Sequence, residues 1–98
     1  MAANDDVRNN TEESRYELST PDGLALAVYD ERGGALRFTH TEVPPSAAGK
    51  GVGSRLIAGA LADVRRRDLK IVPLCSFVAA YLDRHPDQQD LLASDAPG

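Results

Sequence analysis

Glycine stands at every second position of Gly49-Lys50-Gly51-Val52-Gly53. Glycines let several backbone N–H groups converge without Cβ clashes, and a helix starting there adds partial positive charge. The segment can therefore hold an anion such as phosphate. Lys50 can add a full charge at the rim. The same residues would also serve a chain that only has to turn from Pro45 into a helix, so the loop alone leaves both readings open. Two nucleotide motifs are excluded. A P-loop needs Ser or Thr after Gly-Lys, but Gly51 follows Lys50. The dinucleotide fingerprint GxGxxG needs glycine where Ser54 or Leu56 stands, and it opens a parallel βαβ unit.

Cys75 closes a strand just ahead of Ser76, which reads as the N-cap of a helix. A thiol there feels the positive helix end, which favours thiolate. It reads either as a reactive group or as a buried structural thiol. His40 titrates in the range a general base needs, but beside Phe38 it reads better as a satisfied structural histidine. Glu42, two residues on, is the alternative base if its surroundings raise its pKa. His85, before Pro86, reads as a cap on helix carbonyls. No metal is expected, because two histidines 45 positions apart and a single cysteine do not match zinc spacing.

These groups need a frame, and the rest of the chain supplies it. With 98 residues one domain is expected, and 42% hydrophobic with 27% charged residues is ordinary for a globular protein. A net charge of −4 gives no general attraction to nucleic acid or to an anionic membrane. Arg65-Arg66-Arg67, the one dense basic run, lacks the wider basic surface and aromatic partners of a nucleic-acid binder and reads as a solvated helix end. No apolar run spans a bilayer, and no secretory leader is read at the N-terminus. A lone cysteine makes the cytoplasm the expected compartment.

Residues 1–13 read as an N-terminal tail, of which only Val7 to Asn10 could pair with something. Arg15–Ser19, Leu24–Asp30 and Ala35–Val43 alternate as strands, linked by the turns Thr20-Pro21-Asp22-Gly23 and Glu31-Arg32-Gly33-Gly34. They form an antiparallel three-stranded meander. On the third strand Leu36, Phe38, His40 and Glu42 are expected on one face, with Arg37, Thr39, Thr41 and Val43 on the other. Pro44-Pro45 ends it. A helix follows from near Gly51 to about Arg67, with Val52, Leu56, Ala60 and Val64 as its apolar stripe, widened by Ile57 and Leu61, and with Gly59 opposite. Leu69–Leu74 is a strand and Phe77–Arg84 a second helix, after which Leu91 and Leu92 dock. Residues 93–98 read as a C-terminal tail, leaving 14–92 as the domain. The fold class is α+β, with helices packed on a mixed sheet.

Four segments in this order resemble the short N-acetyltransferase-like proteins of the GNAT superfamily. They are Thr39–Pro45, Gly49–Gly53, Val72–Val78 and His85-Pro86. The likeness spans about Arg15 to Leu92 and implies an acyl-CoA N-acyltransferase fold with acetyl-CoA as cofactor. In this superfamily backbone amides of an [RQ]xxGx[GA] loop hold the CoA diphosphate. Here that pattern falls on positions 48–53, with Ala48 in place of Arg or Gln, and the implied cofactor-binding set is Val43, Ala48, Gly49, Lys50, Gly51, Val52, Gly53 and Ser54. The resemblance also implies a splay between the third and fourth strands for the pantetheine arm. Pro44-Pro45 and Pro73 remove N–H donors where that splay would lie. Amides near Val43 would polarise the thioester carbonyl.

The likeness includes Cys75 and favours its functional reading, as an acceptor of the acetyl group or a neighbour of the thioester; His40 and Glu42 stay the candidate bases on their own chemistry. Full-sized members carry two further helices after their first strand, and here only Pro21-Asp22-Gly23 fills that place. The acceptor side is therefore expected to be open, which suits a protein or peptide amine. The expected function is acetyl transfer from acetyl-CoA to an amine. The alternatives are a non-catalytic CoA-binding sensor or partner module, and a domain that keeps the fold without a ligand.

Overall fold

The computed structural model describes residues 7–93. Its strands are β1 (Val7–Asn10), β2 (Arg15–Thr20), β3 (Gly23–Arg32), β4 (Ala35–Glu42) and β5 (Lys70–Pro73). Helix α1 (Val52–Arg66) joins β4 to β5, and α2 (Ser76–Arg84) follows β5. A 3-10 turn at Pro45–Ala47 leads into α1, and another at Pro86–Leu91 follows α2. The five strands form one sheet in chain order. β1 to β4 are antiparallel, and β5 lies parallel to β4 because α1 carries the chain across. The fold is thus α+β with a mixed sheet.

The meander has four strands rather than three. Val7–Asn10, the one stretch of residues 1–13 expected to be able to pair, does so with β2 in the register Val7↔Leu18 to Asn10↔Arg15, as a full edge strand and not a tail. Its polar residues gave no strand signal. Tertiary partners hold it instead: Arg8 and Asn10 donate to Glu17 at 3.3 and 3.0 Å, and the Tyr29 hydroxyl donates to Asn9 Oδ1 at 2.5 Å. Ala93, expected in the C-terminal tail, donates its N–H to the Ile71 carbonyl at 2.9 Å. Residues 11–13 belong to the turn between β1 and β2, where the Glu13 N–H donates to the Asn10 carbonyl at 3.2 Å, and residues 1–6 and 94–98 lie outside the described residues.

The core lies between one sheet face and the two helices. Tyr16, Leu18, Ala25, Ala27, Tyr29, Leu36, Phe38 and Ile71 from the sheet share a buried cluster with Leu56, Ile57, Leu61 and Val64 of α1 and with Val78, Tyr81 and Leu82 of α2. Burying each large aliphatic side chain contributes about 1.5–3 kcal/mol. Tyr16, Tyr29 and Phe38 stack across three strands with centroids 5.3 to 6.1 Å apart. The Tyr16 hydroxyl, carried into the core, donates to Asp63 on α1 at 2.6 Å. The α1 stripe is the expected one, widened by a residue expected opposite it. Gly59 is buried, because a Cβ there would collide with the Val7 side chain of β1.

The other sheet face carries Leu24, Leu26 and Val28, exposed or half-buried, with Glu17 buried opposite Leu26. Among the described residues no helix covers it.

At the end of α1, Arg65 pairs with Asp90 at 2.9 Å and Arg66 and Arg67 pair with Asp63. This basic run is thus largely neutralised within the fold. His85 caps α2, its Nδ1 2.8 Å from the Tyr81 carbonyl and its ring stacked on Tyr81.

Candidate functional site

Two structural events at the end of β4 create the site. The first is a bulge. Val28 pairs with His40 but Tyr29 pairs with Phe38, so one step on β3 spans two on β4 and Thr39 is the extra residue. A bulge reverses the alternation beyond it. Leu36 and Phe38 face the helices as expected. Past Thr39, however, Thr41 and Val43 turn to the helix face, while His40 and Glu42 turn to the open one. The expected sharing of a face by Phe38, His40 and Glu42 is therefore wrong, and the bulge is the physical reason.

The second event is the parting of β4 from β5. Their pairing runs from Ala35↔Lys70 to Phe38↔Pro73 and stops there. The Cys75 N–H still donates to the Phe38 carbonyl at 2.8 Å. β4 runs on to Glu42 without β5 beside it. Pro73 has no N–H to continue the ladder. The ladder thus ends where the resemblance implies a splay.

Cys75 sits at the head of this gap. It is itself the N-cap of α2, and Ser76, expected in that role, is the first helical residue. Its Sγ lies 3.4 Å from Thr41 Oγ1. Burial alone would push the thiol pKa up. The Thr41 hydroxyl and the backbone N–H groups of Val78, Phe77 and Thr41 outweigh that and hold it below the ordinary thiol value.

His40 and Glu42 are not brought to Cys75. They pair with each other, His40 Nε2 to Glu42 Oε2 at 2.9 Å, with side chains 58% and 62% exposed on the helix-free face. Strand β4 separates this pair from the thiol, because Thr41, between them in sequence, points to the other face and contacts Cys75.

The glycine loop forms a cleft of about 310 Å³, lined by Val43, Ala47, Ala48, Gly49, Gly51, Val52, Gly53, Ser54 and Phe77. Ala47, buried in the core, anchors it. Gly49 and Gly51 have φ of +80° and +75°, which glycine adopts without strain, and a Cβ at either would meet nothing within 4 Å. The cradle is open there. Among the described residues no backbone acceptor pairs with the N–H groups of Gly49, Gly51, Val52, Gly53 or Ser54. The last three belong to the first turn of α1, whose amides lack intrahelical partners. Converging free amides at a helix N-terminus fit an anion, and no carboxylate lines the cleft.

Lys50 is at the rim but does not face an empty cleft alone. Its Nζ donates to Asp22 Oδ2 at 3.1 Å, tying the loop to the β2–β3 turn. Pro44 rests beside Gly23 of the same turn. Ala48 is exposed and brings only backbone and a methyl group.

The chain matches the family model of the GCN5-related N-acetyl-transferases over residues 15–91. It belongs to that family. The match covers the domain from the first residue of β2 to the end of the turn after α2. It does not reach β1. The family relation supports acetyl transfer as the class of reaction.

Sequence reasoning missed Thr41 and Phe77. Thr41 carried no signal because the bulge that aims it has neither Gly nor Pro at Thr39. Phe77 lies four residues before Tyr81 and reads as part of an apolar helix stripe. In the fold it is 36% exposed at the cleft. Elsewhere, no group of three or more His, Cys, Asp and Glu is placed to hold a metal ion among the described residues. No helix there is long and apolar enough to cross a membrane.

Proposed function

We propose that this domain binds acetyl-CoA in the 43–54 cleft and transfers the acetyl group to an amine of a protein or peptide. The observation that carries the reading is the juxtaposition of the open amide cradle with the β4–β5 gap and with Cys75 at the head of that gap. The donor set suits a diphosphate, since the N–H groups of Gly49 and of Gly51 to Ser54 have no backbone acceptor among the described residues and the space beside Gly49 and Gly51 is open. Ala47, Ala48, Val43, Val52 and Phe77 give the cleft apolar walls, and Lys50, outside that lining, brings a positive charge held by Asp22.

Bound there, acetyl-CoA supplies an activated thioester. The protein does the rest. Residues at the end of β4, near Val43, present amides to the carbonyl, which favours the charge that develops on its oxygen. Cys75, with its lowered pKa, takes the acetyl group as a thiolate: the Cys75 sulfur–acyl bond forms as the bond to the carrier sulfur breaks, and the carrier leaves as a thiolate that gains a proton from solvent. The amine nitrogen then displaces Cys75 sulfur and yields a proton to solvent, the His40–Glu42 pair lying on the opposite face of β4. Among the described residues no helix covers that open face, which leaves room for a macromolecular acceptor beside β4. A protein with one free thiol works in a reducing compartment, in keeping with the cytoplasm.

Incubation with acetyl-CoA and intact-mass measurement tests the covalent step. An acetyl adduct that vanishes in Cys75→Ala is expected. An adduct that survives the substitution removes Cys75 from the chemistry. A second reading, a CoA-binding module without catalysis, is favoured by Ala48 and by the separation of His40 and Glu42 from Cys75. It predicts binding without any adduct or acetylated peptide.

A further inference from the structure

The three loop glycines do different work. Gly49 and Gly51 take positive φ in open space. Gly53 has ordinary helical backbone, so no dihedral requires glycine there. Its Cβ would collide with the Phe77 ring, approaching Cε1 to 3.1 Å and Cε2 to 3.2 Å and overlapping Cζ between them. Gly53 is therefore small for the sake of Phe77. The ring, on the first turn of α2, lies end-on against the first turn of α1. A large apolar side chain left 36% exposed at a cleft, two residues from the reactive thiol, is surface that a ligand can cover.

The geometry points to Phe77 as the residue that positions the thioester arm. We propose that its ring, seated on Gly53, is the wall along which the arm lies between the loop amides and Cys75, with Val43 lining the cleft as well. This rests on the reading of the cleft as an acetyl-CoA site. Phe77 is a positioning residue and not a catalytic one, because it brings no reactive group. It follows that Phe77 and Gly53 act as a pair: enlarging Gly53 displaces the ring, and without the ring Gly53 has no reason to be glycine.

Calorimetry with CoA, backed by amide shifts with adenosine 5′-diphosphate, tests this on the full chain. The latter probe carries a diphosphate but no arm. Phe77→Ala is expected to weaken CoA about tenfold while changing the diphosphate probe less than twofold, and Phe77→Leu to recover most of the loss. Gly53→Ala is expected to weaken CoA in the natural background and to cost nothing further in Phe77→Ala. Melting curves keep folding in view, and Phe77→Leu retains an apolar side chain if the alanine variant melts early. Unchanged CoA affinity in Phe77→Ala overturns the proposal and leaves the cleft reading standing. Equal loss for both probes also overturns it, since Phe77 would then only shape the loop. An equal cost of Gly53→Ala in both backgrounds overturns the pairing. Absence of CoA binding by the natural chain overturns the cleft reading and the proposal with it.

Discussion

Thr41 Oγ1 lies 3.4 Å from Cys75 Sγ, across the gap where β4 and β5 have parted. The contact exists because Thr39 is bulged; regular alternation would send Thr41 to the opposite face. Together with the N–H groups at the start of α2 it holds the thiol pKa down against burial. The rate of alkylation by iodoacetamide should therefore rise with pH at a midpoint below that of a free-thiol peptide measured alongside. Thr41→Val should move the midpoint up. A profile at or above the free-thiol value, unaffected by Thr41→Val, would contradict this placement of the thiol.

Gly49 and Gly51 should resist replacement for reasons of backbone. Alanine in left-handed conformation costs about 1–2 kcal/mol at each. Gly49→Ala and Gly51→Ala should lower the midpoint of urea unfolding and also weaken CoA, because their Cβ atoms would stand in the cradle. Retained affinity in a destabilised Gly51→Ala would show that the cradle does not hold the ligand.

Gly59 and Val7 make a reciprocal test of the edge strand. Alanine in a helix interior is better than glycine by about 1 kcal/mol. Gly59→Ala should nonetheless destabilise the natural chain, because the new Cβ meets Val7. In a Val7→Gly background, which removes the Val7 Cβ as well as its methyls, the same change should stabilise. Equal effects in both backgrounds, measured by urea titration, would mean that β1 does not sit on α1 as described.

Glu17 is the buried charge of the sheet, 7% exposed and ringed by Arg15 at 2.7 Å, Asn10 and Arg8. The hydrogen bond from Arg15 leads in holding its carboxyl below the usual range, with those from Asn10 and Arg8 adding to it against desolvation. A carboxylate whose folded pKa is lowered contributes stability that is complete above its unfolded pKa and lost as pH falls through the folded one. Unfolding free energy should therefore fall on acidification below about pH 4.3. Glu17→Gln should be less stable at neutral pH and flatter across that range. An identical acid limb in the variant would remove Glu17 as a source of the pH dependence.

The parts of the fold that rest on period and punctuation were legible in the sequence. Val52, Leu56, Ala60 and Val64 mark α1, and Gly33-Gly34 mark the β3–β4 hairpin. Pro73 marks the point where β5 leaves β4. What was hidden depends on contacts distant in sequence. Val7–Asn10 becomes a strand because Glu17 and Tyr29 bind its polar side chains. The Thr39 bulge has no residue signature, so the faces of His40, Thr41, Glu42 and Val43 were read in reverse. Gly59 looked like an outward-facing position because nothing marks Val7 as its cover. The loop was legible as a cradle, but the separate reason for each glycine needed the position of Phe77.

The most direct test of the account is the movement of backbone amide resonances as CoA is added to the folded protein. The largest shifts should fall on Gly49, Gly51, Val52, Gly53 and Ser54, whose N–H groups are the proposed diphosphate donors. Shifts concentrated elsewhere, or none at saturating CoA, would contradict the assignment of this cleft as the cofactor site.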